Sequence, residues 1–496
     1  MPSELAHTVR RGTRVVLITQ VAAQLVSLAI LAIMLRLLRR EEYGLVGMVL
    51  PAVMLPRMAA TLGLWAAVMQ RDLAHDELSS LFWLNVVWGL VAAAATALCG
   101  PWLAAAYDQP LLAPLCLSLA GSTLLVALAN QHQAMLERKL QLGPLSAARL
   151  LALVCGGFAG IYSARRGAGI WALVAQQYGE LIVLAIWVWL LEPWRPGWPR
   201  KGVAGLVRFS GYYSLSQLVH YLSQNLDKLL LPALLGTRAA AAVGLYSQAF
   251  NLMMKPVYVL TSPVAGVMVA GLSQSQTDPA THAAVAARFF RLVGVALFPC
   301  AAGLLVVGPD VMTVIGGREW KEAGWILAAL APALAVQGLV NLAGLALTSA
   351  GRSGRLLAAS VLQCLLLVQG GLAGFFLGRT YLAGTSGDPA IGGAIGLAIS
   401  YSAVLVGVWF LPYLWFCLRS AAIRPADVLL PLWPAFRAAA LMGLVVWGLG
   451  LVPPLRSLAP AVRLGVLVAA GVAVYALLAR RELAWLWHEL RAAQGQ

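Results

Sequence analysis

What constrains this chain most is the length and frequency of its apolar runs. Segments of about 20 apolar residues recur almost end to end, each long enough to cross roughly 30 Å of hydrocarbon. Of 496 residues, 61% are hydrophobic and 11% charged, whereas a soluble chain is nearer a quarter charged. The pattern predicts an all-α polytopic membrane protein, because a helix satisfies its own backbone groups in lipid. The strict alternation of an outer-membrane barrel is absent.

Fourteen spans are predicted: Val15–Leu35, Tyr43–Leu64, Leu81–Trp102, Leu111–Asn130, Leu145–Tyr162, Gly169–Leu191, Tyr212–Leu235, Val243–Leu272, Leu292–Val314, Ala323–Ser349, Leu356–Leu377, Ile391–Leu418, Val428–Val452 and Leu464–Leu478. The stretch Val15–Leu35 exceeds a signal-peptide core of roughly 7–15 residues, so it reads as a retained first helix. Basic residues favour both termini on the cytoplasmic side, and this crowding of loops accounts for the net charge of +16 without nucleic acid. Against that bias, Arg36, Arg39 and Arg40 fall at the outer end of the first span, beside Glu41 and Glu42.

The chain also nearly repeats itself at an offset of 200 residues. Gln24 aligns with Gln224, Gly44 with Gly244, Leu45 with Leu245 and Pro56 with Pro256. Two copies of one membrane bundle commonly form a path between them, which points to a carrier. The hydrophilic break Glu192–Arg208, stiffened by Pro193, Pro196 and Pro199, separates the copies. The expected organisation is a six-helix lobe over 1–191, a cytoplasmic linker over 192–208, a second six-helix lobe over 209–418, and two extra helices with a cytoplasmic tail over 419–496.

Charges retained inside spans are informative, since a central Arg, Lys or Asp costs at least about 2.5 kcal/mol to insert. They are Arg57, Arg149, Glu180, Asp227, Lys228, Lys255 and Arg437. In the seventh span Gln217, Gln224 and Lys228 fall within about 40° of one another on a helix, with His220 and Asp227 beside them. In the eighth, Gln248, Asn251, Lys255, Tyr258 and Ser262 share a face, and Pro256 and Pro263 are expected to kink it. Arg57 beside Pro56 and Lys255 beside Pro256 occupy nearly equivalent places in the two copies. Two such cations suit an anionic, phosphate-bearing substrate, or they reach out to lipid headgroups along their stems. Headgroup contact suits Arg149 and Arg437 better, as they lie near span ends. Glu180 is open to two readings, an ion site or a hydrogen-bonded structural carboxyl.

Six cysteines lie mostly within apolar runs and form no C-x-x-C pair, so neither a metal site nor a disulfide framework is expected. No Walker loop, H-E-x-x-H or nucleophile elbow is present, and no cofactor is expected.

Several stretches carry a resemblance: Arg40–Met48, Val68–Leu73, Leu78–Asn85, Tyr221–Leu230 and Gly244–Phe250. Together they resemble the polysaccharide transporter family of the multidrug/oligosaccharidyl-lipid/polysaccharide (MOP) exporter superfamily, in particular Wzx-type flippases of the colanic-acid exporter kind. The resemblance implies two six-helix lobes in a V around a central cavity, with extra C-terminal helices in some members. It also implies a flippase, not an enzyme, that moves undecaprenyl-diphosphate-linked oligosaccharide across a bacterial inner membrane by alternating access. Expected partners are that lipid, the bilayer, Na+ or H+ as coupling ion, and polysaccharide polymerase and export machinery. By this carry-over Arg57, Lys228 and Lys255 hold the diphosphate, with Gln224, Asn225, Gln248 and Asn251 lining the same path, and Asp227 and Glu180 are the ion-coupling candidates. In the family a neutral residue often follows the Asp, where this chain has Lys228. A peptidoglycan-precursor flippase carries the same lipid diphosphate and is the nearest alternative. A small-molecule antiporter would favour buried carboxylates over the basic residues found here. A membrane polymerase needs a larger outer loop than Gly378–Ala390.

Overall fold

The computed structural model describes residues 2–70, 74–199, 221–222, 230–236, 239–275, 278–350, 353–382, 384 and 387–495. These residues hold helices and no strand. Among them, eleven helices are long and apolar enough to cross a membrane, twelve when one bent helix is counted as a span. They match the predicted spans except two: the second lies within a 31-residue helix, Arg40–Gln70, and most of the seventh lies outside the described residues.

The chain divides into two compact units, Met1–Gly244 and Leu245–Gln496. The first contains α1 (Pro2–Leu37), α2 (Arg40–Gln70), α3 (His75–Ala106), α4 (Leu112–Arg138), α5 (Leu142–Arg165) and α6 (Trp171–Leu191), plus the first turns of α7 (Ala239–Gln274). Lipid tails are as apolar as the helices, so close backbone approach and polar contacts hold membrane helices together instead. On α5, Gly156 and Gly160 let α6 settle against it at Glu180 and Gln176; a Cβ on either glycine would press within 2.8 Å of those side chains. Between α3 and α4, Asn85 Nδ2 donates to the Ala127 carbonyl (2.6 Å), and Gln131 Nε2 donates to the Leu78 carbonyl (2.7 Å). Leu78 and Asn85, at the two ends of the stretch Leu78–Asn85, therefore help hold α3 to α4.

The repeat has a structural counterpart. A Cβ on Gly44 would overlap the Ala240 carbonyl, and one on Gly244 would overlap the Arg40 carbonyl. Arg40 and Ala240 are themselves 200 apart, so the contact is reciprocal, and all four residues belong to the first unit.

The segment after α6 packs on the first unit. Lys139 Nζ reaches both Glu192 carboxylate oxygens (2.7 and 2.8 Å), with Glu192 almost wholly buried. The His132 ring stacks on Trp189 (4.3 Å) and its Nε2 donates to the Trp194 carbonyl (3.2 Å). Trp83 Nε1 donates to the Gly197 carbonyl (2.9 Å), while the Gly197 amide donates to Ser79 Oγ (3.0 Å). Trp194 packs against His75, Phe82 and His132, and Trp198 stays exposed.

The second unit contains the rest of α7, then α8 (Pro279–Gly316), α9 (Lys321–Ser349), α10 (Ser353–Tyr381), α11 (Pro389–Ala403), α12 (Phe410–Ser420), α13 (Trp433–Gly450), α14 (Pro460–Leu478) and α15 (Arg480–Gly495). A π-helical turn, Val404–Trp409, joins α11 to α12 within one span. The C-terminal helices are fastened along α8: Arg463 pairs with Asp310 (3.4 Å), Tyr475 donates to the Val295 carbonyl (2.8 Å), and Arg291 pairs with Glu482 (2.7 Å). The stretch expected as a cytoplasmic tail contains α15, a helix of 16 residues.

Candidate functional site

α7 carries the clearest polar feature. Along it Leu252, Met253, Met254 and Val257 are buried, whereas Asn251, Tyr258 and Ser262 are exposed and Gln248 and Lys255 half-buried. The 3.6-residue period thus turns the whole predicted stripe to one side and the apolar side into the protein. Lys255 is the sole ionisable side chain with a formal charge in this 36-residue helix. A 42° bend separates Ala239–Ser262 from Val264–Gln274. Of the two prolines expected to kink the helix, Pro263 stands at the bend, while Pro256 sits inside the first segment. Proline lacks the amide that would close the ladder there.

In the first unit, Arg57 on α2 and Glu180 on α6 lie close enough for their charges to act on each other. Both side chains are partly buried. Arg57 and Glu180, expected from the sequence as a substrate cation and an ion-coupling acid in separate spans, are thus within charge range of each other. Beside Glu180 on α6, Gln177 Nε2 donates to Ser122 Oγ (3.2 Å), and the Tyr178 hydroxyl donates to the Ser118 carbonyl. Sequence spacing could not reveal that α2 and α6 bring Arg57 to Glu180; a mid-span acid and a mid-span base were the only signal.

Gln224, Asn225, Asp227 and Lys228, with Gln217 and His220, lie outside the described residues. Arg149, expected to reach lipid headgroups, is half-exposed, and its Nη2 meets Glu137 Oε1 (2.8 Å) and Gln133 Oε1 (3.2 Å), because α4 and α5 place these groups opposite it. Arg437 is exposed. At the start of α2, Glu41 pairs with both Arg39 (3.5 Å) and Arg40 (3.2 Å), and Glu42 accepts from the Arg39 amide (2.7 Å).

Residues 33–324 match the family described as Polysaccharide biosynthesis protein. The chain belongs to that family. It is 25% identical over 307 residues to the lipopolysaccharide biosynthesis protein WzxC of Escherichia coli (strain K12), covering 60% of each chain. It is 26% identical over 424 residues to the teichuronic acid biosynthesis protein TuaB of Bacillus subtilis (strain 168), covering 84% of each. The match to WzxC thus spans about three fifths of that relative, and the match to TuaB most of it. Among solved structures, the lipid II flippase MurJ in an inward closed conformation superposes with a TM-score of 0.70 at 12% identity, over 93% of this chain and 97% of that one. That likeness gives this multi-pass membrane protein a helical fold like that of MurJ.

Proposed function

We propose that this protein is a flippase that carries undecaprenyl-diphosphate-linked oligosaccharide units across the bacterial inner membrane for exopolysaccharide, capsule or O-antigen synthesis. The observation that carries the reading is the α7 stripe: Lys255 set among Gln248, Asn251, Tyr258 and Ser262 on the unburied side of a membrane helix. A polar seam facing lipid is costly, so it belongs on a water-filled path. Sugar hydroxyls need amides and hydroxyls, a diphosphate needs cations, and the polyprenyl chain stays in the hydrocarbon.

On this reading Arg57, Lys228 and Lys255 hold the diphosphate, and Gln224, Asn225, Gln248 and Asn251 meet its sugar. Glu180, within charge range of Arg57, offsets that cation's charge before cargo arrives. An arriving diphosphate competes with Glu180 for Arg57, and the released carboxylate is then open to H+ or Na+. Asp227 is the second ion candidate. A membrane potential supplies about 2.3 kcal/mol per charge per 100 mV, enough to give such a cycle direction. Both termini are cytoplasmic, and the two lobes are 1–191 and 209–418, joined by 192–208. The fold likeness to MurJ favours one runner-up, a peptidoglycan precursor as cargo.

The test uses a strain lacking the protein. Its lipids are extracted and the sidedness of undecaprenyl-diphosphate oligosaccharide is measured. A complete repeat unit held on the cytoplasmic leaflet supports the proposal and identifies the cargo. Accumulated peptidoglycan precursor selects the runner-up, and accumulation on the outer leaflet contradicts both. Asp227→Asn should alter the dependence of transport on the ion gradient; an unchanged dependence removes Asp227 from the coupling.

A further inference from the structure

The C-terminal helix α15 sorts its charges by face. It begins one residue after the membrane span α14, Ala479 being the break. At 100° per residue, Arg480, Arg481, Ala484, Trp487, His488 and Arg491 occupy one continuous arc of about 120°. All six are exposed. The acids lie on the opposite side: Glu482 is taken up by Arg291 (2.7 Å) and Glu489 by Arg288, both on α8. Trp485 belongs to this fastened side, with the Arg291 guanidinium 4.2 Å from its ring centroid. Trp487 is 56% exposed, and the Arg491 guanidinium lies 4.9 Å from its ring centroid.

Pairing with α8 thus consumes both acids of the helix and leaves a face of three arginines, a histidine and a tryptophan. At about 1.5 Å per residue the 16-residue helix is roughly 24 Å long. Its first turn follows directly on a span, so it starts at headgroup depth. Arginines attract anionic headgroups by about 1 kcal/mol each near a membrane surface, and tryptophan favours the same zone.

We propose that α15 is a surface-bound anchor whose basic face engages anionic phospholipid headgroups, while its acidic face clamps α8. The proposal rests on the chain spanning a membrane and not on the cargo it carries. The clamp gives the helix one orientation, so lipid binding at α15 bears directly on α8.

The full-length protein is reconstituted, without cargo, in nanodiscs of phosphatidylcholine alone or with about 30 mol% phosphatidylglycerol. Hydrogen exchange is then followed in peptides covering residues 480–495. Exchange should slow roughly tenfold or more in the anionic discs, and high salt should erase the difference. The triple variant Arg480→Gln, Arg481→Gln, Arg491→Gln should lose it too, with α8 and α14 peptides exchanging as before. Equal exchange in the two lipids overturns the proposal and leaves the face to a protein partner. A lipid effect that survives in the triple variant overturns the assignment to this face.

Discussion

The repeat-related helices α2 and α7 differ in one respect that bears on transport. Each carries a cation beside a proline, Arg57 after Pro56 and Lys255 before Pro256. Arg57 lies within charge range of Glu180 on α6. α7 holds no acid at all, and Lys255 shares its stripe with amides and hydroxyls. Two copies of one bundle have thus kept a cation beside a proline and set it in different company: Arg57 within charge range of Glu180 on α6, Lys255 on a stripe of amides and hydroxyls. On the proposed function, cargo at Arg57 competes with Glu180, while cargo at Lys255 meets groups that hydrogen-bond sugars.

The largest expected effect tests the first half of that contrast. Hydrogen bonds to charged groups contribute roughly 1.5–3 kcal/mol, so Lys255→Ala should cut transport by roughly a hundredfold in cells whose membranes hold normal amounts of the protein. Lys255→Arg should restore much of it; unimpaired transport in the alanine variant would break the contrast at its root.

The reciprocal glycine contact predicts matched losses next. Gly44→Val and Gly244→Val each push a side chain into the opposing backbone, so each should lower stability by about 1–3 kcal/mol. Thermal unfolding in detergent should give similar shifts for the two. A loss confined to one would show that the repeat is not symmetric there.

Arg57→Ala should cost transport less than the loss of Lys255, roughly tenfold, because Glu180 already offsets that charge. A loss equal to that of Lys255→Ala would erase the distinction between the two cations. The smallest effect belongs to Glu180→Gln, which should leave cargo binding intact or a few-fold tighter while flattening the response to an imposed proton or sodium gradient. Weakened binding with an unchanged gradient response would instead assign Glu180 to holding α5 and α6 together.

The contrast between α2 and α7 also marks where sequence was legible. Spans could be read because membrane crossing demands a length of apolar chain that few other folds produce. The α7 stripe could be read because helical period alone places Gln248, Asn251, Lys255, Tyr258 and Ser262 on one side. Arg57 and Glu180 could be found but not joined, since nothing in spacing brings α2 beside α6. The same limit applied to Arg149, whose partners Glu137 and Gln133 lie on another helix. Residues 192–198 read as a stiff connector from their prolines. Their docking depends on Trp83 on α3, His132 on α4 and Lys139 just after α4, residues silent in local pattern. The face of α15 was hidden differently: its mixture of Arg and Glu looks like a solvated tail until the pairs with Arg288 and Arg291 remove the acids.

The most direct measurement of the central claim is flipping by purified protein in proteoliposomes loaded with a fluorescent undecaprenyl-diphosphate oligosaccharide, comparing wild type with Lys255→Ala. The account predicts transfer between leaflets by the wild type and its near-complete loss in the variant, with both equally folded. Equal transfer by the two, or transfer no faster than in protein-free vesicles, would contradict it.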